Sequence, residues 1–359
     1  MAPEAPLPHP FRPAPPVGGV PRLGAAELAR AREGPDPPYL LDVRAPEERL
    51  RARLTGDHAI PLGELPSRLA AIPRGRPVVV YSHFGARSVR AARLLADQGV
   101  GPVAVLEGGI DEYARVVDPT IPRYRDEGDE HLLLQQFPRA ATGCLSYLIA
   151  DPVNRRAAVI DPGREVEPYV QALRAGRLEL AAILETHTHA YHLAGHAALA
   201  ERTGAPIYLG RRSPAQYPHR PLEAGQGLEV GDLQLEILET PGHTSDHVTV
   251  RAGAMAFTGD TLLVGSCGRS DLADGDPEAL WRSLNERIFT LPDATEVFPA
   301  HYGAHHALPE RYSTTIGFER KTNEAYATGS LEAFRRYMGE GWPPKPTAFD
   351  SIVRENLAR

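Results

Sequence analysis

The chain has 359 residues, long for one domain and comfortable for two. Hydrophobic residues make up 42% and charged residues 24%, as in an ordinary globular protein, and a net charge of −7 argues against a nucleic-acid-binding surface. The 2 cysteines, Cys144 and Cys267, exclude a disulfide framework and suit a reducing compartment, and no apolar run approaches the length of a membrane span.

Met1 to Gly24 is rich in Pro and Gly and lacks both a basic start and an apolar stretch, so it does not read as a signal peptide. The expectation is a disordered leader over 1–19 on a cytoplasmic protein. Gly24 to Glu33 reads as a short helix and Tyr39 to Arg44 as a buried strand ending in charge. Leu65 to Ile72 reads as a short helix, Val78 to Tyr81 as a strong strand, Val89 to Gln98 as a helix and Val103 to Leu106 as a strand. Alternating short strands and helices predict a small α/β domain with a parallel sheet. The loop Ser82 to Ser88 leaves a strand and opens a helix, so its backbone N–H groups can converge on an anion, and Arg87 can add a charge-assisted contact.

At these residues the segment resembles the rhodanese family. The carriers are Leu41-Asp42-Val43-Arg44 with Glu47 and Glu48, Gly56 to Leu62, the loop Ser82 to Ser88, and Leu106 to Ile110. The resemblance puts the family's persulfide-forming cysteine at position 82, where this chain has Ser82. A thiol titrates near 8.5 and is accessible as thiolate; a serine hydroxyl is far less acidic and cannot carry a sulfane sulfur. The expectation is a domain over 20–118 without sulfurtransferase activity. A role in docking or in binding an anionic sulfur compound, and a purely structural role, both stay open.

Residues 119–130, rich in Pro and charge, read as a linker, and the pattern then changes to longer strands over 131–359. Leu132 to Gln136, Cys144 to Ala150, Ala157 to Ile160, Ile207 to Leu209 and Leu228 to Leu238 read as strand, and Val166 to Leu173 as helix. The apolar run Leu180 to Leu184 is a buried strand followed at once by Thr186-His187-Thr188-His189-Ala190-Tyr191-His192. At a strand end His187 and His189 face the same side, and His192 falls at the start of the next helix-like segment. Imidazole is the commonest protein metal ligand, so the cluster reads as a metal site. Three later pieces have the same form, an apolar strand, a tight turn and a ligand-capable side chain: His243 in Thr240 to Thr244, Asp260 after Ala256 to Gly259, and His301 after Val297 to Ala300. Rigid strands delivering such groups to one edge preorganise a metal centre.

This constellation closely resembles the metallo-β-lactamase superfamily, and within it the persulfide dioxygenase (sulfur dioxygenase) branch. The carriers are Phe257 to Asp260, Cys267-Gly268-Arg269-Ser270-Asp271, Gly275-Asp276, Ile288 to Pro292, Pro299-Ala300-His301 and Glu319 to Asn323, with Pro344-Lys345-Pro346 and Asp350 more loosely. The resemblance implies an αββα sandwich and one Fe(II) per chain held by His187, His243 and Asp260. His189, His192 and His301 are then outer residues or remnants of a second metal site. Superfamily hydrolases usually carry an aspartate ligand to that second metal at position 191, where this chain has Tyr191. Tyr302 likewise replaces an acidic residue frequent in the branch. Arg269 and Arg320 match arginines that serve substrate binding, and a guanidinium suits the carboxylates of glutathione. The implied partners are a small-molecule thiol persulfide and O2, with no nucleic acid and no membrane. Monomer and homodimer both stay open. The alternatives are a zinc thioester hydrolase of the hydroxyacylglutathione hydrolase type, since His and Asp bind zinc as well as iron, and a non-catalytic sulfur-binding scaffold.

Overall fold

The computed structural model describes residues 14–17, 19–127, 130–302, 311–339, 342, 345 and 347–358. The chain forms two compact units, Met1–Arg123 and Tyr124–Arg359. Among the described residues no helix is long and apolar enough to cross a membrane.

The first unit runs β1 (Ala14–Val17), β2 (Val20–Leu23), α1 (Ala25–Glu33), β3 (Tyr39–Asp42), α2 (Pro46–Arg51), β4 (His58–Ala59), β5 (Val78–Tyr81), α3 (Ala86–Asp97), β6 (Val103–Leu106) and α4 (Gly109–Val116). Its sheet has the order β1-β2-β6-β5-β3-β4, parallel except for the β1–β2 pair. Every residue of β3, β5 and β6 is buried, as expected for strands covered on both faces. Leu41, Val78, Val80 and Val105 pack against Ala91 and Leu95 of α3. Two expectations change here. Part of the leader, Ala14–Val17, is an edge strand, a position that tolerates Pro15 and Pro16, and its register with β2 shifts between Ala14 and Val17; residues 1–13 and 18 lie outside the described residues. The expected helix Leu65 to Ile72 is two 3-10 turns, Leu65–Ser67 and Leu69–Ala71. Pro73 explains the stop, because it holds Ile72 extended at φ −93° and ψ 128°.

The second unit opens with β7 (Arg123–Glu127), so the expected linker contributes an edge strand. It continues with β8 (Glu130–Arg139), β9 (Cys144–Asp151), β10 (Arg156–Ile160), α5 (Glu167–Gly176), β11 (Glu179–Leu184), α6 (His196–Thr203), β12 (Ile207–Gly210), β13 (Arg220–Leu222), β14 (Gly227–Val230) and β15 (Leu233–Glu239). Then come β16 (Val248–Ala252), β17 (Met255–Gly259), α7 (Pro277–Ser283), β18 (Glu296–Pro299), β19 (Thr314–Thr315), α8 (Ile316–Thr322), α9 (Glu324–Ala327), α10 (Leu331–Gly339) and α11 (Phe349–Ala358). The expected strand Leu228 to Leu238 is a hairpin instead: β14 and β15 pair antiparallel about Gly231-Asp232, which interrupts the alternation.

Two sheets result, β13-β12-β11-β10-β9-β8-β7 and β14-β15-β16-β17-β18-β19. Period-2 alternation decides the layers. Leu145, Tyr147 and Ile149 of β9 meet Phe257 of β17 and Phe298 of β18 between the sheets. Leu148 and Ala150, on the other face of β9, pack on Tyr169, Leu173 and Leu199 of α5 and α6. Ala256 and Val297 face outward onto Leu280 of α7 and Phe334 of α10. Helix, sheet, sheet, helix is the αββα sandwich. The ends of β11, β17 and β18, with the turn after β15, meet at one edge.

Candidate metal centre

β11 runs out at Leu184 into Glu185-Thr186-His187, and the chain then stays irregular until α6 begins at His196, four residues later than the His192 start expected. Thr186 Oγ1 donates to Asp161 Oδ2 at 2.8 Å and therefore accepts from His187 Nδ1 at 2.9 Å. That hydrogen bond fixes the tautomer and leaves the His187 Nε2 lone pair free; the atom is buried without a hydrogen-bond partner. His243 arrives from the turn after β15. Gly242 O accepts from Asp276 N at 2.9 Å and Pro241 O from Ser283 Oγ at 2.7 Å, so α7 and its N-cap pin the turn. His243 Nδ1 lies 2.7 Å from Arg269 O, a carbonyl that can only accept, so Nε2 is again the free nitrogen and again lacks a partner. Asp260 follows β17 and places Oδ2 3.7 Å from His187 Nε2 and 3.3 Å from His243 Nε2. The ligand atoms of these three buried residues all lie within 4.8 Å of one another. Two orphaned imidazole nitrogens facing one carboxylate oxygen fit a divalent metal ion, with the second nitrogen of each ring held as metal sites require.

The surrounding groups orient this set. Asp260 N–H donates to His247 Nε2 at 3.0 Å, and His247 Nδ1 lies against Thr240 Oγ1 and Thr261 Oγ1 at 3.0 and 3.1 Å. The His247 ring stacks on His187 with centroids 4.9 Å apart. Asp260 Oδ1 accepts from His301 Nδ1 at 2.5 Å. Burial would raise the Asp260 carboxyl, but His301, whose Nδ1 donates to it, holds it well below the usual carboxylate range. Burial and the neighbouring histidines drive His187 well down, which keeps it neutral and able to ligate. Gly268 allows the close approach of the following loop, because a Cβ there would lie 2.2 Å from Asp260 O and 3.0 Å from His243 Nδ1.

His189 is not part of this set. Its Nε2 lies 2.8 Å from Glu185 Oε2 and 3.2 Å from Asp161 Oδ1, while Glu185 Oε1 meets His196 Nδ1 at 2.8 Å. Burial alone would lower His189, but Asp161 and Glu185 outweigh it and push it up to about 10, while its Nδ1 is buried without a hydrogen-bond partner. His192 is buried with neither ring nitrogen hydrogen-bonded. The Tyr191 hydroxyl accepts from Arg269 Nη1 at 3.2 Å, and its ring lies 5.3 Å from that of His301. Arg269 is gripped by Asp271 at 2.6 and 2.8 Å. Arg320 is elsewhere engaged: it donates to Phe289 O at 3.0 Å, to Leu291 O at 2.9 Å and to the Asp293 carboxylate, and none of its described hydrogen bonds reaches the histidine cluster. Cys267 Sγ is buried beside Met338 Sδ, and burial pushes its thiol up.

In the first unit Ser82 is buried, and its Oγ accepts from the N–H groups of Gly85 and Ser88 at 3.2 and 3.4 Å. Arg87 forms a two-point pair with Glu48 at 2.5 and 2.6 Å. Sequence reasoning did not single out Thr186, Asp161, Glu185, His247 or Asn356 around the cluster. Asn356, on α11, donates to His189 O and His192 O at 2.9 Å each and ties the C-terminal helix to the histidine loop. Only His247, a second histidine in the stretch after Pro241-Gly242, carried a local signal.

Residues 24–115 match the rhodanese-like domain family, and residues 139–301 match the metallo-beta-lactamase superfamily. The chain is thus a rhodanese-like domain followed by a metallo-β-lactamase-fold domain with a buried metal-type centre. It is 34% identical to the human "Persulfide dioxygenase ETHE1, mitochondrial" over 230 residues, which is 63% of this chain and 88% of that protein. The solved structure of ETHE1 from Myxococcus xanthus superposes with a TM-score of 0.59 at 34% identity, covering 63% of this chain and 98% of that one. The chain belongs to the ETHE1 persulfide dioxygenase family. It is also 34% identical over 194 residues to a hydroxyacylglutathione hydrolase of Methylobacillus flagellatus, covering 54% of this chain and 74% of that protein.

Proposed function

We propose that the chain is an iron(II)-dependent persulfide dioxygenase that oxidises glutathione persulfide, or a related low-molecular-weight persulfide, in sulfane-sulfur metabolism. The balanced reaction is RSSH + O2 + H2O giving RSH, sulfite and two protons. One observation carries this reading: the unpartnered Nε2 atoms of His187 and His243 face Asp260 Oδ2, while position 191 offers a phenol, not a carboxylate, toward a second ion. Two histidines and one carboxylate on one side of an ion leave adjacent open positions, the donor set of non-haem Fe(II) oxygenases. When bound there, iron supplies the O2 chemistry and a place for the terminal persulfide sulfur.

The protein's own part is orientation and charge. Thr186 and Arg269 O hold the two imidazoles by Nδ1, and His247 holds the backbone of Asp260. His189 Nε2 is held by Asp161 and Glu185. Arg269, steadied by Asp271 and Tyr191, is the cation assigned to a substrate carboxylate; Arg320 is not, because its donors serve Phe289, Leu291 and Asp293. The first domain is assigned a docking or anion-binding role without sulfur transfer.

The test is anaerobic purification, elemental analysis, and an oxygen electrode trace on adding glutathione persulfide. About one iron per chain, with O2 consumed and sulfite released, supports the proposal. Zinc without O2 uptake, together with hydrolysis of S-lactoylglutathione, overturns it in favour of the thioester hydrolase.

A further inference from the structure

A thiol of the glutathione type carries two carboxylates, and the site described so far offers them one cation, because Arg320 is engaged elsewhere. A second cation stands on the hairpin side of the centre. Arg139 ends β8, where the chain turns back, and lies opposite Cys144 in the β8–β9 register. Contacts run from there to Arg269. Cys144 Sγ lies 3.4 Å from His301 Nε2, the His301 ring lies 5.3 Å from that of Tyr191, and the Tyr191 hydroxyl lies 3.2 Å from Arg269 Nη1. The Tyr191–His301 pair thus links the hairpin of Arg139 to the loop of Arg269.

Arg139 differs from other inward-turned arginines of the chain in having no carboxylate. Asp42 answers Arg44, Asp57 answers Arg49, Asp111 answers Arg123 and Asp271 answers Arg269. Arg139 is part-buried, and its single hydrogen bond among the described residues runs from Nη2 to the carbonyl of Asp161 at 3.2 Å. Its Nε is buried without a partner. A seat is built for this side chain. It crosses Gly163, where a Cβ would collide with Nη1 and Cζ and stand 3.0 Å from Nε. Gly163 has no left-handed φ to account for the missing side chain. The seat is fastened to the histidine loop: Gly163 bridges Ala194, Arg164 N donates to Leu193 O at 3.0 Å, and Gly195 N donates to Pro162 O at 2.6 Å. The charge is felt in the centre, since burial, His189 and Arg139, in that order, hold His192 well below its ordinary value.

We propose that Arg139 is the second carboxylate anchor of this site, sharing with Arg269 the two carboxylates of a tripeptide thiol of the glutathione type. A part-buried guanidinium without a counter-charge is costly to keep, and a planar carboxylate arriving from solution satisfies two of its donors at once. Two anchors on separate loops fix the peptide at two points, which orients the sulfur between them. The inference rests on the reading of the substrate as a glutathione derivative, and on neither the metal nor O2.

The test is calorimetric titration of the full chain, as purified, with S-methylglutathione, an inert thioether, and with its diethyl ester, which lacks both negative charges. The wild type is expected to bind the free acid, and the diester more weakly. Arg139→Gln should weaken binding of the free acid about 10–100-fold, the range of a charge-assisted hydrogen bond, and binding of the diester hardly at all. Arg139→Lys should fall between. Gly163→Ala, which evicts the guanidinium without removing its charge, should lose most of what Arg139→Gln loses. An unchanged affinity of Arg139→Gln for the acid, or equal losses for acid and diester, overturns the proposal. So does a wild type that does not distinguish the two ligands. O2 uptake plays no part in these readings, so the dioxygenase can fail while Arg139 stands, and the reverse.

Discussion

At the scale of single residues, the centre depends on atoms that touch no ion. The Thr186 hydroxyl decides which nitrogen of His187 faces Asp260, because it is itself held as a donor by Asp161. Thr186→Val keeps the shape and removes the decision. Metal affinity should fall about 10–100-fold, the usual effect of losing such an orienting partner, measured as metal retained during dialysis against a graded chelator. The first unit has its own buried charge. Arg49 Nη1 and Nη2 reach Asp57 at 2.5 and 3.0 Å, and the Tyr81 hydroxyl donates to the same carboxylate. Burial would raise Asp57, but Arg49 and Tyr81 outweigh it and hold it below its ordinary value. A carboxyl lowered on folding stabilises fully above its unfolded pKa of about 3.9 and loses that contribution as pH falls through the folded value. Asp57→Asn should therefore destabilise the protein at pH 7 and much less near pH 3, by urea denaturation at both.

At the scale of elements, the loop between β5 and α3 holds an oxygen where the rhodanese resemblance implies a sulfur. The amides of Gly85 and Ser88 already point at Ser82 Oγ. Ser82→Cys should give a thiol stabilised as thiolate by those donors, and thiocyanate formation from thiosulfate and cyanide should rise at least about tenfold over the wild-type background. No gain would mean that the loop has lost more than its nucleophile. Arg87 is one reason it could, since it is paired with Glu48. Between the sheets, Phe298 stacks on Phe257 at 5.2 Å and meets Tyr147 edge-on at 5.7 Å. Phe298→Ala should cost about 3–5 kcal/mol of stability, read from the chemical denaturation of the second unit. It should also loosen His301, three residues on.

At the scale of the whole molecule, the sequence pointed to the candidate ligands and hid the groups that support them, for a physical reason. His187, His243, Asp260 and His301 each follow an apolar strand, and strands advertise themselves by local pattern. The supports act through distance in the chain: Arg269 O reaches His243 across 26 positions, and Cys144 reaches His301 across 157. Cys144 read as one more apolar strand residue because its neighbours are apolar. Arg320 reads as a substrate anchor only through the family resemblance, and its hydrogen bonds to Phe289, Leu291 and Asp293 carry no local sign in the sequence. The hairpin within Leu228 to Leu238 was missed because alternation resumes on both sides of Gly231-Asp232. The two-layer core was legible because alternation in β9, β17 and β18 sorts each residue to one face.

Ser82, with Cys144 and Cys267 both buried, leaves the protein without an exposed cysteine thiol. A catalyst proposed to work on sulfane sulfur lives among electrophilic sulfur species that mark any accessible thiol they meet. This chain offers them no bystander target and no handle for intermolecular cross-linking. Maleimide should accordingly leave the folded protein unlabelled, and label both cysteines once it is denatured, as counted by intact mass.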